Sequence, residues 1–177
     1  METGKVVTIF GSSGARPDGN TYKQAFQLGE LLAQSGFVVC NGGYAGVMDA
    51  SAHGAKLAGG KTIGITTEAF NSKPVSTWLD ERIKTDDYIQ RLDKLIKTAD
   101  AFIILKGGLG TLSELSLVWC LTVIGEIHKP IILVGDYWKK AIDKMQKCLL
   151  IDNSARQALT IVDTPKGAVE ILRRLMI

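Results

Sequence analysis

Short runs of β-branched and aliphatic residues, each closed by a turn and followed by a helical pattern, recur along the chain. This alternation constrains the fold more than any other feature. Lys5 to Phe10 is such a run, ended by Gly11-Ser12-Ser13-Gly14 and followed by a helical pattern from about Asn20 to Gln34. Phe37 to Cys40 repeats it, ended by Asn41-Gly42-Gly43, with a small-residue helix from about Tyr44 to Ala58. Further strands are expected at Lys61 to Thr66, Glu81 to Thr85, Ala101 to Leu105, Pro130 to Val134 and Leu159 to Val162. Helices are expected at Asp87 to Thr98, Leu112 to Gly125, Tyr137 to Leu149 and Pro165 to Leu175. Strands that are almost continuously Val, Ile and Leu, alternating with helices, belong to parallel sheets covered on both faces. The expected fold is therefore a doubly wound α/β domain over residues 1–177, with a mainly parallel sheet of about seven strands and helices on both faces. Thr67 to Leu79, which carries Pro74 and no clear period, is expected as a long loop, a kind of segment that is often functional.

Bulk properties narrow the function. A chain of 177 residues fits one domain with a substantial core. The net charge of +3, with no block of five like charges, excludes a basic nucleic-acid arm but allows a small anionic ligand. With 46% hydrophobic and 22% charged residues the composition is that of a globular protein, not a disordered one. Apolar runs such as Ala101 to Leu105 are far too short to span a membrane, and Met-Glu-Thr-Gly-Lys lacks the basic and apolar regions of a signal peptide. A soluble, cytoplasmic chain with no nucleic-acid or membrane partner is expected. Cys40, Cys120 and Cys148, odd in number and widely spaced, read as reduced core thiols. His53 and His128 have no partner at ligand spacing, so neither a metal nor a cofactor is expected.

In an open parallel sheet, ligands bind where strands end and helices begin. Three such turns are glycine-rich here: Gly11-Ser12-Ser13-Gly14, Gly42-Gly43-Tyr44-Ala45-Gly46 and Gly107-Gly108-Leu109-Gly110-Thr111. Glycine permits close backbone approach, and the following helix offers free N–H groups to an anion, so phosphate is the natural guest. The first turn lacks the G-x-G-x-x-G spacing of a dinucleotide site, and Gly54 to Thr62 only superficially spells a phosphate loop. No G-x-S-x-G elbow is present.

The strongest local feature is Lys106-Gly107-Gly108-Leu109-Gly110-Thr111-Leu112-Ser113-Glu114. A capping box, with Thr111 as N-cap and Glu114 three residues on, accounts for two of its positions. It leaves unexplained the three glycines and a carboxylate held beside an anion-binding turn. Arg91 lies at the edge of a stripe formed by Tyr88, Ile89, Leu92, Leu95, Ile96 and Ala99, and its plainest reading is an Asp87–Arg91 pair at i, i+4.

The stretch from Tyr88-Ile89-Gln90-Arg91 through Ala99-Asp100-Ala101-Phe102 into Gly-Gly-Leu-Gly-Thr-Leu-Ser-Glu resembles the LOG family, whose members are often described as lysine decarboxylase-like and whose best-known members are cytokinin riboside 5′-monophosphate phosphoribohydrolases. Gly107 to Glu114 fit the family motif P-G-G-x-G-T-x-x-E. Gly11-Ser12-Ser13 is similar to the family's first loop, Gly42-Gly43-Tyr44-Ala45-Gly46-Val47-Met48 to its second, and His128-Lys129-Pro130-Ile131 to the start of a late strand. Three departures stand out: Lys106 replaces the motif proline, Leu92 replaces the lysine that usually follows the family's arginine, and Asp49 follows Met48 where active hydrolases commonly have glycine.

The resemblance implies a Rossmann-like homodimer that cleaves the N-glycosidic bond of a nucleoside 5′-monophosphate, with Glu114 and Arg91 as catalytic residues. Gly11, Ser12, Ser13, Gly42, Gly43, Gly46, Met48 and Lys106 to Thr111 would hold the phosphorylated ligand. The alternative is a non-catalytic nucleotide-binding protein or a molybdenum-cofactor carrier of the same fold, which binds a phosphorylated pterin without hydrolysing it. Independently of the resemblance, apolar residues spread around most of the helix from Leu112 to Ile124, which predicts that two copies pair through it.

Overall fold

The computed structural model describes residues 4–176; Met1 to Thr3, part of the segment read as lacking a signal peptide, and Ile177 lie outside the described residues. The strands are β1 (Val6–Phe10), β2 (Val38–Asn41), β3 (Thr62–Thr67), β4 (Glu81–Thr85), β5 (Ala101–Ile104), β6 (Ile131–Val134) and β7 (Leu159–Val162). The helices are α1 (Asn20–Gln34), α2 (Val47–Leu57), α3 (Tyr88–Thr98), α4 (Leu109–Val123), α5 (Asp136–Cys148), α6 (Asn153–Gln157) and α7 (Pro165–Met176). All seven strands pair in parallel, in the order β4-β3-β2-β1-β5-β6-β7. The chain winds outward from β1 to β4 and then returns to β5 on the other side of β1. A crevice therefore opens between the turns that leave β1 and β5, the place where open α/β sheets take ligands.

Burial explains the strand sequences. β5 and β6, AFII and IILV, are buried at every residue, whereas edge strand β4, ERIKT, alternates toward solvent and carries the charges that blunt a free edge. One core cluster lies under α1, α2 and α7, and the other under α3, α4 and α5. Ile9, Ile103 and Ile132, at most 1% exposed, each contribute about 1.5–3 kcal/mol of transfer free energy.

The expected elements are present, with shifts that have local causes. α2 starts at Val47, not Tyr44, because Gly46 holds φ +71°, outside the helical region. α4 starts at Leu109, three residues before the expected Leu112. α6 was not expected; its five residues are too few for a periodic pattern, and its one local sign is Asp152, whose carboxylate accepts the Ala155 N–H at 2.7 Å. The long segment after β3 carries a single 3₁₀ turn, Glu68–Phe70, capped by the Thr67 hydroxyl. The expectation of three core thiols is corrected: Cys40 is buried, but Cys120 and Cys148 are exposed. No helix of the described residues is long and apolar enough to cross a membrane.

Candidate functional site

The turns after β1, β2 and β5 converge because they are stitched together through their backbones. The Ser12 N–H donates to the Lys106 carbonyl at 3.0 Å, and the Val47 N–H donates to the Ser12 carbonyl at 2.9 Å. Gly46 makes the second contact possible, since a Cβ there would lie 2.3 Å from the Ser12 oxygen. Asn41, buried, shapes the middle turn: its amide donates to the Met48 carbonyl at 2.8 Å and its oxygen accepts the Gly43 N–H at 2.8 Å.

Arg91 is the centre of the arrangement. It is 3% exposed, donating from Nε to the Ile65 carbonyl at 2.7 Å and from Nη2 to the Gly42 carbonyl at 3.2 Å. Its Nη1 lies 4.0 Å from Oε1 of Glu114. The rings of Tyr44 and Phe70 flank it, with centroids 5.6 and 5.9 Å from Cζ. Burial lowers the arginine pKa and the Glu114 carboxylate opposes this, and the guanidinium stays cationic. Residue 42 must be glycine for this placement, because a Cβ there would lie 1.6 Å from Nη2. The expected Asp87–Arg91 pair does not form; Asp87 caps α3 instead, accepting the Gln90 N–H at 2.8 Å.

The capping-box reading is also corrected. α4 is capped at Gly108 without a side-chain bond, so Thr111 is already helical and Glu114 stands beyond the first turn. The Glu114 side chain, 12% exposed, points at Arg91. Burial pushes its pKa up to about 7, and Arg91 limits the rise. A carboxyl that exchanges a proton near neutrality thus sits beside a fixed cation and an uncapped helix N-terminus.

These groups line a cavity of about 300 Å³. Gly11, Ser12, Ser13, Gly42, Met48, Arg91, Gly108, Leu109, Gly110, Thr111 and Glu114 all face it. Gly43, Gly46, Lys106 and Gly107 do not. Gly46 joins two turns, Gly107 packs under Thr111, and the Lys106 ammonium lies 5.5 Å from the Tyr137 ring centroid. Sequence reasoning missed Tyr44, Phe70, Lys73 and Tyr88 as lining residues. For Phe70 and Lys73 the one signal was the length of the segment that follows β3, whereas Tyr44 stood within the second glycine turn and Tyr88 within the stretch that leads to Arg91.

The departures from the LOG pattern have structural roles. Leu92 is buried, and Asp49 accepts from the Tyr22 hydroxyl at 3.0 Å and from Ser76 Oγ at 2.8 Å. His53 stacks on Trp78 with centroids 3.9 Å apart, and among the described residues no group of three His, Cys, Asp or Glu is placed to hold a metal.

The model of the SLOG cluster4 family matches residues 4–169. A protein of Archaeoglobus fulgidus is 40% identical over 56% of this chain, a match that spans 65% of that protein. A cytokinin riboside 5′-monophosphate phosphoribohydrolase of Mycobacterium tuberculosis is 33% identical over 82% of this chain and 81% of its own. Among solved structures, the molybdenum cofactor binding protein of the phototrophic bacterium Rippkaea orientalis matches with a TM-score of 0.79 at 29% identity, covering 100% of both chains.

Proposed function

The chain belongs to the SLOG cluster4 family, and from that membership together with the cavity we propose that it is a LOG-like phosphoribohydrolase: it hydrolyses the N-glycosidic bond of a nucleoside 5′-monophosphate, releasing the base and ribose 5-phosphate. The observation that carries this reading is the half-buried Glu114 beside buried Arg91 at the uncapped start of α4. The name of the Mycobacterium tuberculosis relative supports it.

The 5′-phosphate rests on the N–H groups that open α4, from Leu109 to Thr111, and on the turn from Gly11 to Ser13. Anchoring it there holds the ribose against Glu114, so binding energy remote from the bond is used to position it. As the C1′–N bond breaks, its electron pair leaves with the base and positive charge develops on the ribose. The Glu114 carboxylate stabilises that charge more than it stabilises the ground state. Water adds its oxygen to C1′ and its proton passes to Glu114, whose pKa near neutrality suits a group that takes and returns protons, while the departing base nitrogen takes a proton from solvent water and Glu114 afterwards gives its own back to solvent. Arg91, too basic to act as an acid, orients Glu114 and presents a fixed positive charge to the departing base.

The protein acts as a single domain and as a homodimer. Leu112, Val123 and Ile124 are 39%, 45% and 63% exposed along one side of α4 and its C-terminus, and a second copy would cover them. We place it in the cytoplasm, a reducing compartment in which exposed Cys120 and Cys148 remain thiols.

The alternative, a carrier that binds a phosphorylated pterin without hydrolysing it, is favoured by the full-length similarity to the Rippkaea orientalis protein. Incubation with a panel of nucleoside 5′-monophosphates, assayed for free base and ribose 5-phosphate, separates the two. Turnover of at least one substrate is expected, and binding of a phosphorylated ligand with no release from the whole panel establishes the carrier instead.

A further inference from the structure

The wall of the cavity away from the β1 and β5 turns is built by a segment that the proposed bond cleavage does not use. Phe70 packs edge-on to Tyr44 and tilted against Tyr88, with centroids 5.8 and 6.1 Å apart. Nζ of Lys73 lies 4.3 Å from the centroid of Phe70, at the cavity lining. The segment is fixed at both ends. On one side the Tyr44 hydroxyl donates to the Thr67 carbonyl and accepts the Thr67 N–H, both at 3.0 Å. On the other, the Ser76 N–H donates to the Gly43 carbonyl at 2.9 Å, Ser76 Oγ donates to Asp49, and Trp78 stacks on His53.

The polar groups of this wall are one-sided. Lys73 offers three donors and no acceptor, and among the described residues no carboxylate lies within ion-pair distance of it. The Tyr44 hydroxyl is engaged by Thr67, and the Gly42 and Ile65 carbonyls are engaged by Arg91. The Tyr88 hydroxyl can donate or accept, so Lys73 sets the sign. A donor face beside flat aromatic surfaces matches a planar ring whose outer edge carries a carbonyl oxygen and a ring nitrogen, as lysine matches the O6/N7 edge of guanine. It mismatches an exocyclic amino group, which needs an acceptor.

The topology places this face at a suitable reach. β5, β1, β2 and β3 are successive neighbours, so the segment after β3 lies three inter-strand spacings, about 14 Å, from the β5 turn. A ligand whose phosphate sits on the start of α4 extends its ring toward Lys73.

We infer that Lys73, carried over Phe70, selects a ligand ring with an oxo edge: a 6-oxopurine 5′-monophosphate in preference to a 6-aminopurine one. A phosphorylated 4-oxopterin offers the same pair of acceptors. The inference rests on the proposed phosphate-anchored reading of the site.

The test is calorimetric titration of the full chain, wild type and Lys73→Met, with inosine 5′-monophosphate, adenosine 5′-monophosphate, a phosphorylated 4-oxopterin and ribose 5-phosphate. Wild type should bind inosine 5′-monophosphate at least tenfold more tightly than adenosine 5′-monophosphate. In Lys73→Met the ratio should fall to within twofold while ribose 5-phosphate affinity is unchanged. A Lys73-dependent tenfold gain for the pterin alone keeps the oxo-edge assignment and makes the pterin its source. Equal affinities for the two nucleotides without a pterin gain, an inosine preference that survives Lys73→Met, or no binding of either oxo ligand overturns it. Each titration is repeated in the Glu114→Gln background, where the proposed hydrolysis falls at least 100-fold, so that affinities are read without turnover and a lack of hydrolysis bears on the phosphoribohydrolase reading alone.

Discussion

Glu114→Gln should make the protein more stable and less active, and the gain in stability should depend on pH. In the folded chain burial raises the Glu114 pKa from the ordinary 4.5 to about 7. A group whose folded pKa is raised contributes stability below its unfolded pKa and loses that contribution as pH rises through the folded one. The rise corresponds to about 3 kcal/mol of stability forgone above pH 7, when the carboxylate must be held ionised out of water. Glutamine keeps the shape and removes the charge. Arg91 retains its bonds to the Ile65 and Gly42 carbonyls, so loss of a counter-charge 4.0 Å away does not strand it. At pH 8 the variant should therefore exceed wild type by about 3 kcal/mol, a rise in Tm on the order of 6–12 °C for a chain of this size. The two proteins should converge near pH 4.5. Base release should fall at least 100-fold, about 2.7 kcal/mol of transition-state stabilisation. Urea unfolding at pH 4.5, 6 and 8, alongside the hydrolysis assay, reads both effects. A variant less stable than wild type at pH 8 would refute the reasoning, since the ion pair would then outweigh the desolvation of its carboxylate. A difference that does not change with pH would also refute it.

Nucleoside 5′-monophosphates should be cleaved at least tenfold faster than the matching nucleosides, because the α4 N-terminus anchors phosphate; equal kcat/KM for the two sinks that anchoring role. Gly42→Ala should abolish turnover, because its Cβ would occupy the place of Arg91 Nη2; near-normal rates in a folded variant would show that Arg91 need not lie there. Val123→Glu, at an exposed position of α4, should convert the expected dimer to a folded monomer in light scattering. A wild-type mass near 19.1 kDa refutes the dimer outright.

What the sequence determined by itself is local. Strand and helix identity follow from side-chain periodicity within a few residues, which is why β1 through β7 fall within a residue of their expected bounds, whereas five-residue α6 escaped notice. The glycine turns and the motif ending in Glu114 were legible for the same reason, since backbone conformation at a turn is set by the residues in it. The tertiary structure decided which side chains meet. Arg91 read as a surface partner of Asp87 four residues away, yet it is buried on carbonyls at Ile65 and Gly42, 26 and 49 residues distant. Glu114 read equally well as a cap, and only the start of α4 at Leu109 turned it toward Arg91. The wall of Tyr44, Phe70 and Tyr88 left no periodic trace, because its members leave different strands and are gathered only when β2, β3 and β4 pair. Each of these contacts joins groups whose separation along the chain carries no information about their separation in space until the sheet order is fixed.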